Sequence, residues 1–149
     1  MNKKVLFITD SLEDLDLKKD TSILMMEESI KLGFDVYQCL VEDLYAENSE
    51  VIVFAKKITT AGSSEIKFED ASTHSIKTFE YSFMRKDPPV DEDYINALHL
   101  LGLAQAMGTK VFNNPVSIKE FNEKVFAIHF AKYIPETLIS SKIDKIKSF

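Results

Sequence analysis

Cysteine, glycine, proline and tryptophan are all scarce in this chain. Its 149 residues include one cysteine, four glycines, four prolines and no tryptophan. A single cysteine excludes a disulfide within the chain and is typical of a reducing compartment, so the sequence predicts a cytoplasmic protein. Cys39 lies in an apolar segment, which favours a small buried side chain over the alternative of a reactive thiol.

Long apolar runs and clustered basic residues are also missing. The run that follows MNKK has only about five apolar residues, which is too short for a signal peptide or a membrane span, so no membrane partner is expected. The formal net charge is −6 and no basic face stands out, which argues against a nucleic-acid partner.

Familiar catalytic and metal-binding motifs are absent. The patterns GxGxxG, GxxxxGK[ST] and GxSxG do not occur, so any nucleotide-phosphate grip is expected elsewhere. His74, His99 and His129 have no metal-ligand spacing, so a metal site formed by them is not expected. The chain alone therefore lacks a self-sufficient catalytic set.

The order of apolar and turn segments predicts a single α/β domain. A strand, a helix and a second strand within about 40 residues form a βαβ unit, which predicts a parallel sheet. The predicted elements of this kind are strands at Val5–Thr9, Phe34–Val41, Glu80–Met84 and Lys110–Asn113, and helices at Thr21–Leu32 and Asp91–Met107. Gly33 and Gly108 are expected to end the two helices.

Residues 48–79 have a different pattern, with short apolar runs between turn-like segments. Strands are predicted at Val51–Ile58, Glu65–Phe68 and Ile76–Phe79. The stretches GSSE and EDASTH between them resemble turns. This spacing predicts a hairpin or meander inserted into the α/β domain.

The last third of the chain predicts a third long helix. A capping-box pattern begins at Ser117, and the helix is expected to run to about Tyr133. Its apolar face consists of Ile118, Phe121, Val125 and Ile128. A strand is predicted at Thr137–Ser140 and the start of another helix at Ile143–Phe149. Because the sequence stops within that element, we expect the chain to be a piece of a longer protein.

Two strand ends carry residues that suit an anion. Arg85 and Lys86 follow the strand that ends at Met84, and two prolines stiffen the backbone after Asp87. In open parallel sheets ligands bind beyond the carboxyl ends of the strands, so Arg85 is a candidate for gripping a carboxylate or phosphate. The alternative is a strand-end ion pair of Arg85 or Lys86 with Asp87 or Glu92.

The loop after the first strand is the second such place. Lys18 precedes Asp20 and Ser22 at the predicted start of a helix, where backbone N–H groups attract anions. The alternative is ordinary capping of that helix by Asp20 or Thr21.

Four runs of the sequence resemble bacterial glutathione synthetase. They are DLDLKKDTSILMMEESIKLGFDVY, FMRKDPPVDEDYINALHLL, FNNPVSIKEFNEKVFAIHF and PETLIS, and they occur in the family's order. The resemblance is weakest from about Asn48 to Phe79. It implies a Rossmann-like (pre-ATP-grasp) three-layer domain with a mostly parallel sheet over residues 1–135. Residues 136–149 would then begin a truncated ATP-grasp region.

The resemblance also implies an activity. The family's enzymes ligate γ-glutamylcysteine and glycine with ATP through an acyl phosphate, and self-associate. This chain alone would be inactive, since the Mg²⁺ ligands and most ATP contacts belong to the missing region. Alternatives are another ATP-grasp carboxylate–amine ligase, or a binding module without chemistry.

The resemblance gives roles to particular residues. Arg85 would anchor a substrate carboxylate, with Lys18, Asp20 and Ser22 lining the facing loop and Asp20 meeting the substrate ammonium. Lys124 resembles the lysine that ATP-grasp enzymes present to the nucleotide phosphates. The alternative for Lys124 is an ion pair one helical turn away with Glu120.

Overall fold

The computed structural model describes residues 2–122 and 124–149. Within these residues the chain has eight strands, which are β1 (Lys4–Ile8), β2 (Asp35–Cys39), β3 (Leu44–Glu47), β4 (Glu50–Ala61), β5 (Ile66–Phe68), β6 (Ser72–Ser75), β7 (Tyr81–Met84) and β8 (Val111–Phe112). The α-helices are α1 (Thr21–Lys31), α2 (Glu92–Ala106), α3 (Pro115–Glu120) and α4 (Ile143–Ser148). Short 3₁₀ segments lie at Val41–Asp43, Ile76–Thr78 and Phe126–Tyr133.

The strands form one sheet with a parallel portion and an antiparallel extension. The order is β3–β4–β2–β1–β7–β8, with β5 and β6 paired to β4. Strand β1 is parallel to β2 and β7, and β7 is parallel to β8. Strand β4 is antiparallel to each of its partners. The predicted α/β fold with a parallel sheet and an inserted hairpin region is therefore confirmed.

Helices on both faces of the sheet make three layers. Along β1, Leu6 and Ile8 belong to the apolar core that contains Leu98 of α2. The alternate residues Val5 and Phe7 belong to the second core, which contains Met26 of α1. Because successive side chains of a strand point to opposite faces, α1 and α2 cover opposite sides of the sheet.

The ends of α1 and α2 are set by capping residues and glycines. Asp20 caps α1 by accepting a 2.7 Å hydrogen bond from the Ser22 N–H, and Asp91 caps α2 by accepting from the Tyr94 N–H. Gly33 and Gly108 have φ of 82° and 100°, the left-handed region where glycine has no Cβ penalty. The predicted bounds of both helices agree with the structure to within a residue.

The middle of the chain differs from its prediction. The predicted strand Ile76–Phe79 is wrong, because residues 76–78 form a 3₁₀ turn. The predicted turn EDASTH is also wrong in part, since Ser72–Ser75 pairs with β4 as β6. Pairing with a neighbouring strand overrides the turn propensity of these small polar residues. Strand β3 was missed altogether.

The predicted long helix Ser117–Tyr133 is wrong. Asn114, rather than Ser117, caps α3, because its side chain accepts from the N–H groups of Val116 and Ser117 at 3.0 Å. Helix α3 ends at Glu120, and Phe121 has φ −99° and ψ 68°, outside the helical region. The predicted strand Thr137–Ser140 is also not formed, whereas the helix after it is confirmed as α4.

His74 on β6 lies among aromatic rings. Its surroundings lead us to expect that the stability of the fold depends on pH. Its ring centroid lies 4.9 Å from that of Tyr37 and 5.7 Å from that of Phe79, and Ser72 Oγ is 2.9 Å from Nε2. Partial burial, then repulsion from Lys4, lowers the pKa of His74 below its ordinary value of 6.5. The unfolded chain therefore binds this proton more readily, so stability falls as the pH drops through about 6.5.

We expect an NMR titration to place the pKa of His74 below 6.5. The His74→Gln variant should lose less stability to urea between about pH 8 and about pH 5 than the unsubstituted chain, because it lacks this titration. A measured pKa at or above the ordinary value would contradict the prediction.

Candidate functional site

The candidate site lies at the carboxyl ends of β1 and β7, next to the start of α1. These two strands are parallel neighbours, with Ile8 opposite Met84. The residues after them, Asp10 and Arg85, therefore emerge at the same edge of the sheet. Ligands of open α/β sheets bind at this edge.

Arg85 is held between the sheet and the start of α1. Its N–H donates to the Ile8 carbonyl at 2.8 Å. Its guanidinium donates to Thr21 Oγ1 at 2.6 Å and, more weakly, to Ser22 Oγ at 3.4 Å. No carboxylate of residues 2–122 or 124–149 lies within ion-pairing distance of it. Because hydroxyl groups orient a cation without neutralising it, the guanidinium keeps its charge for an anion.

Lys86 forms an ion pair at the end of its strand, as the sequence analysis allowed, but its partner is Asp10, which the sequence analysis did not consider. Its Nζ lies 2.8 Å from Asp10 Oδ1, and the Asp87 N–H donates to Asp10 Oδ2 at 3.1 Å. The partner is therefore neither Asp87 nor Glu92. Asp10 ties the loop after β7 to the end of β1, and the predicted parallel sheet was the signal that could have identified it.

Buried hydrogen bonds from the neighbouring strand β2 hold the end of β1 in place. Gln38, which is 3% exposed, donates from Nε2 to Thr9 Oγ1 at 3.1 Å and to the Asp10 carbonyl at 3.3 Å. Thr9 Oγ1 in turn donates to the same carbonyl at 2.7 Å. These buried contacts fix the backbone that presents the Asp10 carboxylate.

Of the three predicted loop residues, Lys18, Asp20 and Ser22, the structure describes a contact with Arg85 for Ser22. Ser22 is buried and touches Arg85 directly. Asp20 uses Oδ1 to cap α1, so the capping alternative is correct for this residue. Lys18 is exposed on the preceding turn, where its N–H donates to Asp16 Oδ1 at 3.0 Å. Thr21, expected only as a possible cap, makes the shorter contact to the guanidinium.

Lys124 lies in a different part of the same edge. It lines a cavity of about 490 Å³ together with Pro88, Tyr94, Leu98 and Phe121. This cavity lies beside α2, whereas Arg85 packs on the α1 side. Helix α3 ends at Glu120, so Lys124 does not lie on that helix, and both the phosphate contact and the pairing with Glu120 stay predictions.

The cavity beside α2 combines an apolar floor with polar groups at its margin. Ile95 and Ile118 contribute apolar surface, while Lys119 and Asn122 contribute polar groups. Burial raises the pKa of the Tyr94 phenol above its ordinary value, which keeps this group neutral. Such a cavity suits a ligand with both an apolar and an anionic part.

Metal-binding clusters and membrane-spanning helices are both missing from the part of the chain that the structure describes. In residues 2–122 and 124–149 no three His, Cys, Asp or Glu side chains are grouped as metal ligands. No helix within these ranges has the length and hydrophobicity needed to cross a bilayer. Cys39 is buried, and burial, then the Asp43 charge, raises the pKa of its thiol. The prediction of a buried side chain at Cys39 is confirmed.

The fold and this edge define an α/β domain that presents a hydroxyl-supported guanidinium at the carboxyl ends of a parallel sheet. Residues 3–119 match the family model described as prokaryotic glutathione synthetase, N-terminal domain. The chain belongs to this family, and the resemblance drawn from its sequence motifs is confirmed.

Individual relatives agree with the family match. Glutathione synthetase of Parasynechococcus marenigrum (strain WH8102) is 32% identical over 144 residues, covering 97% of this chain and 46% of that protein. Glutathione synthetase of Vibrio vulnificus (strain YJ016) is 32% identical over 148 residues, with coverage of 98% and 46%. The corresponding values for Neisseria meningitidis serogroup A are 32%, 152 residues, 98% and 48%. The chain thus spans about half the length of the curated relatives it matches.

Proposed function

We propose that this chain is the N-terminal, substrate-binding part of a glutathione synthetase, a ligase that joins γ-glutamylcysteine to glycine with ATP. The family match along residues 3–119 carries this proposal. The compartment that suits it is the cytoplasm, since the chain's one cysteine forms no disulfide.

The proposed contribution of this chain is to bind and orient the dipeptide. Arg85 holds a substrate carboxylate with its planar, two-pronged guanidinium. Thr21 and Ser22 orient the guanidinium from below. Asp20, with Oδ1 engaged in the helix cap, faces the substrate ammonium through its other oxygen, and Lys18 adds positive charge at the rim. Fixing the dipeptide in this way uses binding energy to position its reacting group.

The proposed reaction transfers the terminal phosphoryl group of ATP to the cysteinyl carboxylate, which leaves ADP. The amine of glycine then attacks the acyl phosphate, and the new amide bond forms as inorganic phosphate leaves. ATP supplies the phosphoryl group, and Lys124 is the proposed contact of this chain with its phosphates. The exposed ammonium of Lys124 stands beside an apolar cavity that can pack the stem of its side chain. The described residues provide no acidic cluster for Mg²⁺, and we propose that its ligands lie outside this chain.

A second candidate function is ligation of a different carboxylate by another ATP-grasp enzyme. The observation that favours this candidate is the environment of Arg85. Its guanidinium contacts the hydroxyl groups of Thr21 and Ser22 and would bind many different carboxylates. A binding module without chemistry is the third candidate, because the guanidinium of Arg85 contacts hydroxyl groups rather than a catalytic base.

The proposal predicts which substrates are ligated and that the 149-residue chain is inactive without a further region. We expect a protein that continues into an ATP-grasp region to release phosphate from ATP with γ-glutamylcysteine and glycine, but not with D-alanine or glutamate in place of the dipeptide. The 149-residue chain alone should give no turnover.

In the longer protein Lys124→Ala should weaken ATP binding, whereas Lys145→Ala, which replaces an exposed lysine on α4, should not. Preference for another carboxylate would support the second candidate, and unchanged ATP affinity would remove Lys124 from the site.

A further inference from the structure

A small cavity lies at the carboxyl end of β2, on the same edge of the sheet as Arg85 but apart from it. Its volume is about 170 Å³, below the range typical of sites for drug-sized ligands, so it can admit one small molecule. Its lining residues come from the loop after β1, from β2 and the turn after it, and from β4. Arg85, Thr21 and Asp20, which the structure also describes, do not line it.

Gln38 lines this cavity with an amide group whose orientation is fixed. Its Nε2 donates to Thr9 Oγ1 and to the Asp10 carbonyl. Since a carbonyl oxygen only accepts, the amide nitrogen must face it and Oε1 points away. Within residues 2–122 and 124–149 no donor contacts Oε1. Oε1 is not among the fully buried side-chain atoms of these ranges that lack a partner, so it is accessible from the cavity.

Lys56 places a cation beside this amide. It stands directly opposite Gln38 in the antiparallel pairing of β2 with β4, and residues in this register share one face of the sheet. Its ammonium lies 4.5 Å from the centroid of the Phe68 ring and pairs with no carboxylate of the described ranges. Because a cation–π contact leaves the charge in place, Lys56 retains its charge for an anion.

Asp43 supplies the opposite charge to the lining of the same cavity. Its Oδ2 accepts the Leu40 N–H at 2.8 Å, which fixes the side chain at the 3₁₀ turn after β2. Its Oδ1 accepts no hydrogen bond from the residues that the structure describes, and none of their cations pairs with it. The carboxylate of Asp43 and the carbonyl of Gln38 therefore suit an ammonium group, while Lys56 suits a carboxylate.

Apolar side chains complete the cavity. Leu12, Leu40 and Phe54 contribute to its lining, and Leu12 is 5% exposed whereas Phe54 is 46% exposed. An apolar lining with a few placed polar groups is typical of small-molecule sites. A ligand with an ammonium, a carboxylate and a short apolar chain matches all of these groups.

We propose that this cavity binds a free α-amino acid with an apolar side chain. The ammonium of the ligand contacts Gln38 Oε1 and the Asp43 carboxylate, and its carboxylate contacts the Lys56 ammonium. A donor on Oε1 also strengthens the bonds that the same amide makes to Thr9 and Asp10, because hydrogen bonds in a chain polarise one another. The site does not depend on the ligase activity proposed above.

The test is calorimetric titration of the 149-residue chain with L-leucine and two of its analogues. We expect a dissociation constant of roughly 1 mM or tighter for L-leucine, which a ligand of this size can reach. Isocaproate lacks the ammonium and isoamylamine lacks the carboxylate, so each should bind roughly tenfold to hundredfold more weakly. These titrations use the unsubstituted chain and require no variant to fold. No binding of L-leucine at about 10 mM, or equal affinity for either analogue, would overturn the proposal.

A variant and an NMR measurement locate the ligand. Lys56→Met should weaken L-leucine binding by roughly tenfold or more. The matched control is Lys67→Met, because Lys67 is an exposed lysine on the adjacent β5 that pairs with Glu65 at 2.9 Å, and its affinity for L-leucine should be unchanged. The side-chain amide signal of Gln38 should shift as L-leucine is added to the unsubstituted chain. Unchanged affinity in Lys56→Met, or a Gln38 signal that does not move, would show that the amino acid does not occupy this cavity.

Discussion

Replacing Arg85 with methionine in a longer protein that includes the proposed ATP-grasp region is expected to weaken binding of the proposed substrate, γ-glutamylcysteine, by roughly tenfold to hundredfold. The estimate follows from a charged hydrogen bond, which contributes about 1.5–3 kcal/mol. Methionine keeps the length and apolar stem of the side chain but removes the group that Thr21 and Ser22 orient. Isothermal titration calorimetry with the dipeptide measures the loss directly.

Two further variants separate charge from geometry at Arg85. Arg85→Lys keeps the charge but lacks the planar fork, so we expect an intermediate affinity. Lys19→Met removes an exposed cation from the neighbouring loop, where Lys19 pairs with Asp16 at 3.5 Å, and should leave dipeptide binding unchanged. Binding by Arg85→Met that equals the Lys19→Met control would show that Arg85 does not contact the substrate.

The parts of the site that follow a strand could be predicted from sequence. The apolar run ending at Met84 places Arg85 at the carboxyl edge of a parallel sheet, and the structure puts it there. The choice of partner could not be read from local spacing. Asp10 meets Lys86 across 76 positions of sequence, because two parallel strands end side by side. A local pattern offers only Asp87 or Glu92 for the same lysine.

The prediction of a third long helix was wrong for a different physical reason. Ile118, Phe121 and Val125 have helical spacing. The spacing of apolar residues does not reveal that the backbone leaves the helix after Glu120. The Asn122 side chain accepts hydrogen bonds from the N–H groups of Lys124 and Val125 at 3.0 Å. Such local side-chain bonds compete with the helical ladder and begin a new turn. The predicted place of Lys124 on this helix is therefore wrong, and its contact with nucleotide phosphates stays a prediction.

The short strands of the middle region needed information from another strand. Residues 72–75 have the small polar composition of a turn, yet their backbone pairs with residues 52–55 of β4. The ring of His74 is then placed against Tyr37. Strand propensity is largely a matter of neighbours, and a single sequence does not state which neighbours a segment will have.

Removing the carboxylate of Asp10 is expected to lower the free energy of unfolding by about 1–3 kcal/mol, because it removes the anionic partner of the largely buried Lys86 ammonium and leaves that group its 2.6 Å hydrogen bond to the Asp87 carbonyl. The Lys86 side chain is 17% exposed and that of Asp10 is 31% exposed, so solvent screening places the cost below that of a fully buried pair. Asp10→Ala also removes the acceptor of the Asp87 N–H. Asp10→Asn retains an oxygen for that bond and should cost less.

Urea denaturation compares these variants with Asp16→Asn, whose ion pair with Lys19 is exposed and should contribute little. Hydrogen exchange localises the change. The Asp87 amide should exchange faster in Asp10→Ala, while the Arg85 amide, bonded to the Ile8 carbonyl, should keep its protection. If Asp10→Ala were as stable as Asp16→Asn and Asp87 stayed protected, the loop would be held by something other than Asp10. If the prediction holds, the carboxylate at the end of β1 positions the residues that follow Arg85.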